Sequence, residues 1–327
     1  MRSRFVRPGD ALLPERGLLP VDRPFTATQV PASPRELSEL TRDGYLRRVV
    51  RGVFVASQVR DTLGVRARAL GLVLPPGAVV TDRTAAWVRG VDVLLPGEHQ
   101  SVPPVRVFHR SRGGRVRRAE VSSGQRMMPD SDVDVIDGLL VTTPVRTACD
   151  LGMDRNRDRA FGSLEAMVRA GVDKAALHDQ IPRFRGYRWV RQFRELAAMV
   201  DPRSDSVAES ITRLRWYDTC TPYPEPQREV VGSRGAPWSL DMGVDDLYFA
   251  VEYDGEEFHG PDATDHDAFR REWIERNTPW MVRVVRRENV FGSGQDFDRL
   301  LPAWLAEARR TLGARLARGR WYDAVGD

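Results

Sequence analysis

Glu252 sits inside Leu247-Tyr-Phe-Ala-Val-Glu-Tyr253, an apolar run of strand composition. Aromatic and β-branched residues in such a run pack into a sheet with at least one covered face. A carboxylate placed there must be matched, because an isolated buried charge costs more than a small fold can bear. The neighbouring sequence supplies no match: between Arg234 and Arg270 there is no Lys or Arg, and ten acids. Such crowded carboxylates repel one another unless water, a metal ion or an arginine from elsewhere relieves them. For the acids from Asp262 to Asp267 a solvated loop suffices; for Glu252 it does not.

Asp241 precedes Glu252 with ten residues between them. Taking Asp245-Asp246 as a two-residue hairpin loop pairs Val244 with Leu247, and sets Asp241 opposite Ala250 and Ser239 opposite Glu252. Period-two alternation then brings Asp241, Glu252 and Asp254 out on one face. In that register Asp241 and Glu252 are diagonal neighbours, with Cα atoms about 7–8 Å apart; a one-residue slip would separate them. Two carboxylates on adjacent strands form a hard-oxygen site suited to Mg²⁺ or Mn²⁺, or else serve only structure. His259, past the strand end, either accepts a proton from a metal-bound water or is a surface loop histidine. Glu209 in Ser206-Val-Ala-Glu209 fits a capping box and reaches Arg213 at i+4; catalysis is the other reading. Arg270 and Arg271 either hold a phosphate or neutralise the carboxylates.

The length of 327 residues suggests two or three domains. The net charge of +4 conceals an asymmetry. Residues 205–327 hold 16 Arg and 23 acids, whereas residues 1–204 hold 34 basic and 23 acidic residues. A basic front half points to a polyanionic partner, most simply nucleic acid. Lys174 is the single lysine, so chemistry that needs a lysine has almost nowhere to find one. Cys149 and Cys220 form neither a disulfide framework nor a metal-ligand spacing. No apolar run of about 18 residues is present, and the first residues lack the apolar core of a signal peptide. A cytoplasmic protein without a membrane partner is expected.

The pattern along the chain predicts a mixed α/β (α+β) protein in three parts: 1–58, 59–200 and 201–327. In the first, Phe25–Val30 reads as a short helix. Ser33-Pro-Arg-Glu36 opens a second as N-cap, first-turn proline and capping-box glutamate. Gly44 stops it, and Tyr45–Val55 folds as a hairpin around Arg51-Gly52. Helix, helix and arginine-bearing hairpin outline a winged helix. The middle part alternates helices and strands, with a hairpin at Ile136–Val141 and mostly helix over 157–200. After the linker Asp201–Asp205 the order helix, three strands, helix, strand, helix predicts an αβββαβ core.

Glu209-Ser210, Leu240-Asp241, Val251-Glu-Tyr-Asp-Gly255 with His259, Asp267-Ala-Phe-Arg270 and Trp280-Met-Val-Arg283 resemble the nuclease domain related to very-short-patch mismatch-repair endonucleases, within the PD-(D/E)XK superfamily. The resemblance spans roughly residues 203–300. It implies a restriction-endonuclease-like fold, with Asp241 as main metal ligand, Glu252 beside it, Glu209 as the helix acid and His259 as proton acceptor. Where the superfamily pattern places lysine, this chain has Asp254; the mismatch-repair branch also lacks that lysine. The front of the chain, above all Leu46-Arg-Arg-Val-Val-Arg-Gly-Val-Phe-Val55 with Val80–Trp87 and Val141–Thr147, resembles AbiEi-type antitoxins of abortive-infection systems over about residues 25–150. That resemblance implies a DNA-binding winged helix, with Arg35 and Arg42 on the recognition helix and Arg47, Arg48 and Arg51 in the wing.

Two functions from different classes follow. One is a Mg²⁺-dependent endonuclease tethered to a winged helix that holds double-stranded DNA, acting in repair or in defence against foreign DNA. The other is an antitoxin-like transcriptional repressor with an inert nuclease domain, whose implied partner is a toxin or another defence-system protein. Cleavage of structured RNA by the same residues is a third reading.

Overall fold

The computed structural model describes residues 19–98, 105–109, 121–219, 221–232, 236–255 and 261–323. In chain order the elements begin with β1 (Phe25–Thr26), α1 (Pro34–Arg42), β2 (Leu46–Val50), β3 (Val53–Ala56), α2 (Leu63–Gly71), β4 (Ala78–Val80), α3 (Asp82–Val88) and β5 (Val105–His109). They continue with β6 (Val121–Gln125), β7 (Val133–Ile136), β8 (Leu139–Thr142), α4 (Pro144–Gly152), α5 (Arg157–Arg169), α6 (Lys174–Gln180), α7 (Val190–Met199) and α8 (Val207–Thr219). The last are β9 (Glu225–Val231), β10 (Pro237–Val244), β11 (Phe249–Asp254), α9 (Pro261–Asn277), β12 (Met281–Arg286), α10 (Arg287–Val290) and α11 (Phe297–Asp323). Among the described residues the strands form three sheets, ordered β1-β3-β2, β6-β5-β4-β8-β7 and β12-β11-β10-β9, so the architecture is mixed α+β. The chain divides into two compact units, Met1–Leu151 with Ala175–Gln180, and Gly152–Lys174 with Ile181–Asp327.

In the first unit, α1 starts as its sequence dictates. Ser33 Oγ accepts from the Glu36 N–H at 3.3 Å, and Glu36 Oε2 accepts from the Ser33 N–H at 2.9 Å. Two of the helix's orphan donors are thus satisfied within the first turn. Leu37 and Leu40 bury beneath it against Phe25, Leu46 and Phe54. Gly52, at φ +82°, turns β2 into β3 where a side chain would be strained. The helix expected at Phe25–Val30 does not form as such. Phe25-Thr26 pairs with β3, and only Ala27–Gln29 coil into a 3-10 turn. Phe25 is buried against Phe54, and that contact holds the segment extended.

The five-stranded sheet of this unit carries a buried charge network. Arg146 meets Asp132 at 2.5 Å and Asp150 at 3.0 Å, with all three side chains nearly free of solvent. Arg126 meets Asp150 at 2.8 Å and Asp82 at 3.5 Å, while stacking over the Phe108 ring at 4.0 Å. Burial and the nearby Asp82 raise the Asp150 carboxyl to about 6, against the lowering pull of Arg126 and Arg146. The segments Val80–Trp87 and Val141–Thr147 therefore meet: each contributes a charged residue to this network.

In the second unit, α5 and α8 lie against each other. Gly162 makes the approach possible, since a Cβ there would stand 2.8 Å from Val207 Cγ1. Glu165 pairs with Arg213 where neither side chain has any exposure, and Arg215 reaches Asp158 at 2.5 Å. The sequence boundary at 200 separates α5 from α8; these contacts join them in one unit. Arg213 is spent on Glu165 and Asp201 rather than on Glu209, its expected i+4 partner. Beyond α8, β9, β10 and β11 form an antiparallel meander, and α9 leads to β12, which pairs parallel with β11. Trp238, Trp273 and Trp280 pack around Leu240, Ala250 and Ile274 on one side of this sheet.

Candidate functional site

The β10–β11 register decides where the acids fall. Val244 pairs with Phe249, Gly243 with Ala250 and Met242 with Val251. The hairpin expected to turn at Asp245-Asp246 alone turns over four residues instead. Asp245–Leu247 form a 3-10 turn, Tyr248 takes φ +44°, and the Tyr248 N–H closes the turn on the Asp245 carbonyl at 2.9 Å. Arg228 secures Asp245 from β9, with Nε 2.9 Å from Oδ1. The register differs from expectation by two residues, so every side chain keeps its face. The ladder ends at Met242 and Val251, and its register continued by one residue sets Asp241 across from Glu252 rather than on its diagonal. Asp241 Oδ2 also accepts from the Tyr253 N–H at 2.7 Å.

Glu209 reaches the same place from α8. Its backbone N–H donates to Ser206 Oγ at 3.1 Å, as a capping box expects, but its Oε2 accepts from the Asp205 N–H at 2.8 Å rather than from the Ser206 N–H, so only half of the expected box forms. The same Oε2 also accepts from Gln227 Nε2 at 3.2 Å. Gln227 stands on β9 at φ +52°, where the β9–β10 pairing skips Asp241. Its Oε1 accepts from Ser239 Oγ at 2.5 Å. Gln227 thus ties β10 to Glu209, a role with no sequence signal, since an isolated Gln in a polar strand reads as solvent-facing.

Burial raises the Asp241 carboxyl well above the ordinary aspartate range, and the charges of Glu209 and Glu252 push it further; the Tyr253 N–H and Arg270 only partly offset them. Burial likewise raises Glu209. Glu252 is better matched. Arg270 donates to its Oε1 at 2.5 Å and to the Ser239 carbonyl at 2.7 Å, and Arg271 stands 3.7 Å from Oε2. Asp254, where the endonuclease resemblance leads one to expect lysine, pairs with Arg286 at 3.3 Å. Among the described residues no three His, Cys, Asp or Glu side chains are poised together around a metal ion. What Asp241 and Glu252 offer is a facing pair of hard oxygen donors. The surplus negative charge at Asp241 is of the kind a divalent cation relieves. His259 lies outside the described residues.

Of the arginines expected to meet DNA, Arg35 and Arg42 are exposed on α1, each beside an acid, Glu39 and Asp43. Arg48 and Arg51 are exposed on the hairpin. Arg47 turns to its own unit, donating to the Val59 carbonyl at 3.1 Å.

Residues 78–199 match the AbiEi antitoxin C-terminal domain, a stretch that contains both Val80–Trp87 and Val141–Thr147. The chain therefore carries an antitoxin-type domain. Two uncharacterized proteins of Mycobacterium tuberculosis, MT2308 of strain CDC 1551 / Oshkosh and Rv2248 of strain ATCC 25618 / H37Rv, are each 30% identical to it over 270 residues. These alignments cover 78% of this chain and 92% of each relative. The chain belongs to the family of these mycobacterial proteins. No helix among the described residues is long and apolar enough to cross a membrane.

Proposed function

We propose that this protein is a cytoplasmic DNA-binding regulator of the AbiEi antitoxin kind, with double-stranded DNA as ligand and a toxin or other defence protein as partner. The observation that carries this reading is the antitoxin-domain match over 78–199, which follows a capped helix, an arginine-bearing hairpin and α2 in the chain. In this reading α1 and the β2–β3 hairpin make the DNA-binding element, and residues 78–199 form the antitoxin-like region behind it. Arg35, Arg42, Arg48 and Arg51 contact phosphates, which confers affinity and salt dependence but not sequence choice. The test is binding of a duplex from the protein's own promoter across a salt series. Each phosphate contact steepens the slope by about 0.9 in log K against log salt, so Arg35→Ala/Arg48→Ala/Arg51→Ala should flatten it by about 2–3. An unchanged slope, or no binding at low salt, rejects the reading.

The acid site supports a second reading, hydrolysis of a phosphodiester in a restriction-endonuclease-like domain. Its specific support is the negative charge that Glu209 and Glu252 bring to bear on Asp241, which raises its carboxyl. Asp241 and Glu252 would hold Mg²⁺ or Mn²⁺, which when bound polarises a phosphodiester and acidifies a water. Glu209 would assist from α8, His259 would accept the proton, and Arg270 and Arg271 would meet the phosphate. Purified wild type and Asp241→Ala, incubated with supercoiled plasmid, a mismatch-bearing duplex and structured RNA, provide the test. Nicking abolished by both EDTA and the substitution sustains it. Intact substrates throughout leave the carboxylates as structural groups and the regulator as the whole function.

A further inference from the structure

Pro182-Arg-Phe-Arg-Gly-Tyr-Arg-Trp-Val-Arg-Gln-Phe-Arg194 interleaves five arginines with four aromatics and contains no acid. The fold separates the aromatics into two kinds. Phe184 and Phe193 are buried and hold the segment down, Phe184 packing edge-on against both Phe193 and Tyr187. Phe193 also lies so close to Gly152 that a Cβ there would come within 2.4 Å of the ring. Tyr187 and Trp189, by contrast, stay 41% and 45% exposed. They border a cavity of about 780 Å³ whose walls include Arg157, Arg185, Arg191 and Arg194, with Glu195 as the one acid among the described residues that line it. Arg157 is paired with Asp218, whereas Arg185, Arg191 and Arg194 have no carboxylate partner among the described residues.

The backbone of Trp189 is a second, separate observation. It takes φ +68° and ψ 6° as the residue preceding α7, and its side chain caps nothing. A bulky aromatic seldom adopts that conformation. Such outliers concentrate where a ligand is gripped. Here the outlier coincides with an exposed indole beside three unmatched guanidinium groups.

We propose that this cavity binds a phosphorylated, unpaired nucleobase, its ring stacked on Trp189 beside Tyr187 and its phosphate held by Arg185, Arg191 and Arg194. Planar guanidinium groups grip phosphate oxygens in pairs, and aromatic faces stack any unpaired base. Residues of the first turn of α7, Val190, Arg191 and Gln192, also line the cavity, adding the positive end of a helix. A paired base hides its face in the duplex stack, so the site is distinct from the duplex contacts assigned to α1 and the β2–β3 hairpin. The shared chemistry has two sources, a free nucleotide or an unpaired stretch of a nucleic-acid strand.

The experiment uses the full chain and a short fluorescein-labelled oligo(dT) strand, read by anisotropy, with ATP, a duplex of equal length and polyglutamate as competitors. Trp189→Asn should weaken strand binding about tenfold, while the urea midpoint stays level or rises because Asn accepts the left-handed backbone. Arg191→Ala/Arg194→Ala should flatten the salt slope by about 1.4. Competition by ATP identifies a nucleotide site; strand binding that ATP leaves untouched identifies an unpaired strand. Equal strand binding by wild type and Trp189→Asn overturns the proposal. So does duplex or polyglutamate that displaces the strand as well as unlabelled oligo(dT) does.

Discussion

Arg146 in the first unit is buried and Asp241 in the second is half-buried, each beside a sheet, yet their surroundings treat them oppositely. Around Arg146 the signs alternate: Asp132 and Asp150 flank it, and Arg126 links Asp150 onward to Asp82. Burial pulls the Arg146 guanidinium down, but Asp150 and Asp132 more than restore it. Around Asp241 the near charges are Glu209 and Glu252, and the arginines stand on Glu252. A buried charge whose partners are complete is a structural device; removing one partner is then far costlier than the pair is worth. A buried acid left in surplus is a strained group, and strain of this sort is more often kept for binding than for stability.

That contrast can be broken at its strongest point first. Arg146→Ala leaves Asp132 and Asp150 buried without their cation and should cost about 3–5 kcal/mol in urea denaturation. A loss below about 1 kcal/mol would mean that the network is a decoration.

The next effect is in pH. The Asp150 carboxyl is raised from its usual 3.8 to about 6 in the folded protein. The folded state therefore takes up the proton first, and its stability rises as pH falls from 7 through 6 toward 4. The penalty relieved is on the order of 2–3 kcal/mol. Asp241 is raised too, so its contribution has the same sign. Denaturation midpoints at pH 7 and pH 5 for wild type and Asp150→Asn check this; the variant should lose most of the pH response of the first unit.

Smaller effects separate the second unit from the first. Mg²⁺ or Mn²⁺ at ten times its dissociation constant should stabilise the wild type by about 1.4 kcal/mol and leave Asp241→Asn unmoved. Without any metal, Asp241→Asn keeps an oxygen for the Tyr253 N–H while removing the surplus charge. It should raise stability by about 1 kcal/mol, visible as a higher midpoint at pH 7. A fall instead would place Asp241 with Arg146 among the structural charges.

Much of the fold was legible wherever the controlling physics is local. The Ser33–Glu36 box, the turn at Gly52 and the hairpin at Asp137-Gly138 follow from capping and left-handed turn positions. The candidate acids were legible for the same reason: a Glu in an apolar strand stands out against its own neighbours. Phe25 was misleading, because pairing with β3 overrode a weak helical pattern that its own segment could not stabilise. Gln227 and the Trp189 cavity gave no usable local signal. Their meaning lies in what approaches them from other elements.

By itself, then, the sequence determined the cap at Ser33–Glu36, the turns at Gly52 and Asp137-Gly138, and the need for something to answer Glu252. Those properties rest on hydrogen bonds and side-chain periods within a few residues. Only the tertiary structure decided that Asp241 stands across from Glu252 rather than diagonal to it, that Arg270 answers Glu252, and that Arg213 answers Glu165 instead of Glu209. A four-residue turn and a two-residue turn leave the same faces exposed, so alternation alone does not choose between their registers. Ion pairs spanning 18 and 48 residues are chosen by packing, since the chain between the partners places no local constraint on which guanidinium arrives.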